Sequence, residues 1–253
     1  MDLEICVDSI ESAIAAAGGG AKRIELCSAL SEGGITPSIG LIAAVRAAIV
    51  IEMFVIIRPR GGNFVYTEQE LNVMMQDIAE AKARKVDGVV MGVLTEAGCV
   101  DITRVRSLID SARPLQVTFH RAFDICKDLD SALEDVIASG ADRILTSGGK
   151  ADATRGAAKI AQLQEKAGDR IRIMAGGGIR LSNVHSLALK TGVHEVHTSL
   201  SSDVVAKPSD GGAEFGLHPT GHRLFRVLKQ DVQAFKSALD SVTIESGSGK
   251  PKQ

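Results

Sequence analysis

His120 and Glu25 can exchange protons near neutral pH, Arg58 and Arg60 can grip an anion through charge-assisted hydrogen bonds, and Asp8 adds a second carboxylate. Each of these residues stands in or just past a short apolar run. Two thiols, Cys6 and Cys27, occupy similar places, where a cysteine is either a small hydrophobe or a reactive group. Three turns rich in small residues add a further possibility: Leu-Thr-Ser-Gly-Gly-Lys at 145–150, Met-Ala-Gly-Gly-Gly-Ile at 174–179 and His-Thr-Ser-Leu-Ser-Ser at 197–202. Glycine lets backbone N–H groups approach a phosphate closely, so Ser147, Gly148, Gly176, Gly177, Gly178 and Ser199 are candidate anion contacts.

These groups can act together only if the fold collects them. Eight β-branched, apolar runs lie at 3–8, 23–28, 53–58, 88–94, 115–121, 143–147, 170–175 and 195–199. Helical periodicity fills the gaps at 11–17, 38–48, 67–84, 102–112, 129–139, 154–167 and 182–190, and a last amphipathic helix is predicted at 224–242. Helix starts are marked by Thr67 with Glu70 three residues on, and by Asp128; small-residue stops at 17–21, 139–142 and 191–194 offer left-handed C-caps. Strand then helix, repeated eight times, predicts a single-domain (β/α)8 TIM barrel over 1–243. The Gly/Pro/Ser-rich stretch from 201 to about 221 reads as a long loop, and the tail at 244–253 as disordered.

In such a barrel alternate strand residues face the helices and must be apolar, while the others face inward. That parity turns Glu4, Cys6 and Asp8 inward from the first strand, Glu25 and Cys27 from the second, Phe54, Ile56 and Arg58 from the third, Thr118 and His120 from the fifth, and Glu195, His197 and Ser199 from the eighth. So many ionisable groups in an interior are costly unless they pair or serve a ligand. Asp8, Glu25, Arg58 and His120 are therefore the catalytic candidates, with Arg60 beside them at the strand end. A paired ionic plug is the alternative.

Composition narrows the classes. A net charge of −2 supplies no attraction for a phosphate backbone, which argues against nucleic acid. The longest apolar runs are far too short to cross a bilayer, and the amino terminus lacks a basic, apolar leader, so a cytosolic protein without a membrane role is expected. Aromatics are only 3 %, leaving the core to aliphatic side chains. Four cysteines with no CxxC pairing fit neither a disulfide framework nor a structural zinc; Cys99 and Cys126 read as small hydrophobes.

The strings Glu-Ile-Cys-Val-Asp-Ser (4–9) and Arg-Ile-Glu-Leu-Cys-Ser-Ala-Leu-Ser-Glu-Gly-Gly-Ile-Thr-Pro-Ser (23–38) resemble the amino-terminal signature of the CutC copper-homeostasis family. Ile-Arg-Pro-Arg-Gly-Gly-Asn-Phe-Val-Tyr (57–66), Val-Thr-Phe-His-Arg-Ala-Phe-Asp (117–124), Arg-Ile-Leu-Thr-Ser-Gly-Gly (143–149) and the 174–179 turn are similar to its later motifs, in order. The resemblance implies a barrel, a cytosolic homo-oligomer (dimer or tetramer), and Cu(I) as the bound ion, with Cys6 and Cys27 matching the family's suggested ligands. Soft thiolates favour Cu(I), and two suffice for a linear site. The chain departs from the pattern at Leu200-Ser201-Ser202, where a basic residue is often found. Copper binding without catalysis is thus one expectation. An enzyme acting on a small anionic or phosphorylated metabolite at the barrel mouth is the other.

Overall fold

A computed structural model describes residues 1–205 and 223–242. Eight parallel strands, β1 (Asp2–Val7), β2 (Arg23–Leu26), β3 (Glu52–Ile56), β4 (Gly88–Met91), β5 (Gln116–Phe119), β6 (Arg143–Thr146), β7 (Arg172–Gly176) and β8 (Glu195–Thr198), pair in sequence order and close on themselves. Closure is made by β1 against β8, with Glu4 opposite His197. The intervening helices are α1 (Ile10–Gly18), α2 (Ile39–Ala48), α3 (Glu68–Ala83), α4 (Ile102–Ala112), α5 (Leu129–Ser139), α6 (Ala157–Ala167) and α7 (Val184–Thr191), with α8 (Lys229–Asp240) completing the ring.

Strand parity sorts the buried residues into two layers, as expected. Ile5, Val7, Ile24, Leu26, Val55, Val89, Met91, Val117 and Ile144 join the helices in the large outer core. Cys6, Cys27, Phe54, Ile56 and Val90 form a separate apolar cluster inside the barrel. The predicted helix signals are also present. Thr67 and Glu70 make a reciprocal capping box on α3, and Asp128 accepts the Ser131 N–H at 2.6 Å on α5. Gly140 and Gly192 end α5 and α7 at left-handed φ; after α1 the left-handed residue is Gly20, one position later than the helix cap.

Two boundaries differ from expectation. Six strands stop one or two residues early, so Asp8, Cys27, Arg58, His120, Ser147 and Ser199 sit just past their carboxyl ends rather than within them, while β4 stops three residues early and β7 runs one residue further than expected. At the other end of the chain, 224–227 is not helical. Residues Arg223–Val227 form β10, antiparallel to β9 (Ser201–Val205) with Arg223 opposite Val205, and α8 begins at Lys229. The partner strand, distant in sequence, captures this segment, which local periodicity could not reveal. The rest of the expected 201–221 loop and the tail at 244–253 lie outside the described residues.

Candidate metal and ligand site at the mouth of the barrel

The amino-terminal half of the barrel interior is an ionic layer. Arg23 and Arg143, the first residues of β2 and β6, are wholly buried. Arg23 donates to Glu4, and through Nη2 to Glu195 at 2.9 Å; Arg143 Nε donates to Glu195 at 2.5 Å and its Nη1 to Thr118 at 3.3 Å. Both guanidinium groups lie over the Phe54 ring, at 4.7 and 5.4 Å. Burial penalises the Glu4 carboxylate, yet Arg23 and His197 outweigh it and hold its pKa down at about 2. Glu4 thus belongs to the paired plug weighed from the sequence. Arg23 and Arg143 were missed there, although they share parity with Glu25 and Leu145.

Above this layer the interior opens into a cavity of about 260 Å³. His197 bridges the two: its Nδ1 lies 2.7 Å from Glu4, and its Nε2 3.7 Å from Glu25. Cys6 completes the group, because single ligand atoms of Cys6, Glu25 and His197 all fall within 4.8 Å of one another. Cys27 lies behind Cys6 with the sulfurs 3.4 Å apart, and is fully buried. The hydrogen bond to Cys27, burial and the nearby Glu25 carboxyl raise the Cys6 pKa well above the usual thiol range. Burial likewise raises that of Glu25, against the pull of His197. His197 itself is raised, since Glu25 and Glu4 outweigh the cost of burying its charge.

His120 and Arg58 form another wall of the same cavity. The His120 ring lies beside Phe64, 4.7 Å between centroids, and the Arg58 guanidinium lies 4.9 Å over the Phe64 ring. Arg58 Nη1 donates to the carbonyls of Glu32 (2.7 Å) and Gly34 (2.9 Å), and Nη2 to that of Gly62 (2.9 Å), tying the loops after β2 and β3 together. His120 Nδ1 accepts the Ala122 N–H at 3.2 Å, which places the ring proton on Nε2. Burial, helped by Arg58, depresses the imidazole pKa to about 3, so the ring is neutral. Two buried nitrogens in this wall, His120 Nε2 and Arg58 Nε, have no hydrogen-bond partner.

The remaining sequence candidates divide. Gly177, Gly178 and Ser199 line the cavity, but Gly176 is buried in β7, where a Cβ would come within 2.4 Å of Leu145. Ser147 and Gly148 are turned to internal use. Asp124, on the 3-10 turn after β5, accepts from the N–H groups of Ser147 and Gly149, from the Ser147 and Thr146 hydroxyls and from Arg121. Its carboxylate thus fills the seat that the Gly-rich turn offers to an anion, and Gly148 donates to Thr146. Arg60 is spent on Glu70 at 2.5 Å and on the Val65 carbonyl, and lies outside the cavity lining, as does the half-buried Asp8. Cys99 is exposed, against expectation, and Cys126 is partly buried.

The family model of the CutC family matches residues 1–202. The chain belongs to the CutC family. A CutC family protein of Chromobacterium violaceum is 43% identical over 94% of this chain and 98% of its own length, and one from Parabacteroides distasonis is 49% identical over 81% and 85%. The crystal structure of CutC from Streptococcus agalactiae, whose proposed role is copper homeostasis, superposes with a TM-score of 0.75 at 33% identity over 79% of this chain and 98% of that one. A thiamine phosphate pyrophosphorylase from Pyrococcus furiosus, at 18% identity and a TM-score of 0.59, shares the CutC barrel fold alone.

Proposed function

We propose that the protein binds Cu(I) at the barrel mouth through Cys6 and Cys27, as a cytosolic copper-homeostasis protein that assembles as a dimer or tetramer. The observation that carries this reading is the contact of two thiols at 3.4 Å, one of them on the cavity wall. Sulfurs at that spacing can share one soft ion held at a bent angle. A linear pair of bonds of about 2.3 Å each would require them to part by about 1 Å. Glu25 and His197 stand ready as additional oxygen and nitrogen donors. Because the Cys6 thiol starts protonated, loading must release protons, and affinity must rise with pH.

Anaerobic titration with Cu(I) is expected to give close to one equivalent per chain, with proton release measurable in weakly buffered solution. Cys6→Ser/Cys27→Ser is expected to lose that equivalent. Unchanged stoichiometry and affinity in the double variant would remove the reading.

A second reading is a barrel enzyme acting on a small anionic metabolite. The observation favouring it is the pair His120 Nε2 and Arg58 Nε, without hydrogen-bond partners, in a cavity also lined by Cys6, Glu25, Arg121 and Arg180.

A further inference from the structure

We infer that the His120, Arg58 and Phe64 wall is a seat for the carboxylate of a small organic acid. The inference deepens the second reading above, resting on its cavity but not on turnover. A buried N–H left unmet costs about 1–3 kcal/mol, so His120 Nε2 calls for an acceptor, whereas Arg58 has the Tyr66 hydroxyl beside it. His120 cannot supply its own, because Nδ1 is committed to the Ala122 N–H. Where a carbon is placed on the nearby Gly92, it meets His120 Cε1 and Nδ1 at 2.7 Å, so that edge of the ring is locked against β4's end. Arg58 is fixed as firmly, by three loop carbonyls. Those partners are all neutral, so the cation they hold has no carboxylate bonded to it. A ligand oxygen carrying negative charge would satisfy the His120 donor and lie beside the Arg58 charge.

The chemistry favours a monoanion over a phosphate. Arg121 and Arg180 line the cavity as well as Glu25, but Arg121 is paired with Asp124, and the N–H groups of the turn after β6, which could take further phosphate oxygens, are held by the same carboxylate. A volume of about 260 Å³ lies below the usual range for drug-sized ligands, which limits the acid to a few carbons. Phe64 supplies an apolar face for the carbon end.

The test uses the full-length reduced protein labelled with ¹⁵N-histidine and titrated with pyruvate at neutral pH. A saturable shift is expected in one Nε2 resonance, the one absent from His120→Gln. By calorimetry, pyruvate affinity should fall at least tenfold in His120→Ala and recover in part in His120→Gln, whose amide retains an N–H donor. Inorganic phosphate should compete poorly. Absence of any saturable shift with pyruvate or acetate at tens of millimolar, or phosphate displacing pyruvate at equal concentration, would overturn the inference. An acid held at His120 but never converted leaves it standing and removes the enzyme; turnover without the His120 shift does the reverse.

Discussion

At pH 7 the His120 imidazole is uncharged, because burial and Arg58 both disfavour the imidazolium. The folded pKa of about 3 lies below the ordinary 6.5, so the unfolded chain takes up the proton first as pH falls. The stabilisation is therefore complete above pH 6.5 and is lost progressively between pH 6.5 and 3, by a few kcal/mol in all. His120→Gln should flatten this acid limb: the difference in urea midpoint between wild type and variant is expected to vanish with decreasing pH. A difference that stays constant from pH 7 to 4 would show that His120 does not titrate this way. Strand parity made Cys6, Glu25, Arg58 and His120 legible as residues of a common cavity. It did not show that His120 would be a fixed neutral donor rather than a proton shuttle, since that depends on the Ala122 N–H and the Arg58 charge. Nor could it show that Arg60 is spent on Glu70, a pairing set by the turn into α3.

Among the elements, β4 is set apart by what its first residue lacks. Gly88 leaves room for Phe54, whose ring atoms would lie 2.5–2.6 Å from a Cβ there. That ring cannot withdraw, because it lies against the guanidinium groups of both Arg23 and Arg143. Gly88→Ala is accordingly expected to cost about 1–3 kcal/mol, read as a lowered urea midpoint with unchanged slope. The rhythm of eight strand and helix units was legible because α1 to α5 each start at a capping side chain and each strand has its own apolar outer face. The strand at Arg223–Val227 was not, because its ladder partner among the described residues, Ser201–Val205, lies well upstream and no local pattern announces it.

Over the whole molecule, the barrel axis passes from a sealed ionic base to an open, sulfur-bearing mouth, with His197 spanning the two through Glu4 and Glu25. The base is structural: Arg143→Met would leave Glu195 buried with two of its three arginine partners, Arg23 and the exposed Arg172, at an expected cost of about 3–5 kcal/mol by urea denaturation. Cu(I) stoichiometry, corrected for folded fraction, should survive that change, because the thiols lie in the layer above. Among the described residues, the buried ion pairs fill the lower barrel, and the cavity opens at the strand carboxyl ends.

Asp124 carries a consequence of its own. A carboxylate anchored on the neighbouring turn behaves as a tethered competitor, present at an effective concentration set by its short tether. This barrel therefore holds a ready-made oxyanion cradle with its own side chain as permanent tenant. Eviction would take a single altered codon, and related barrels could differ in phosphate recognition by that one replacement rather than by any rebuilding of the loop.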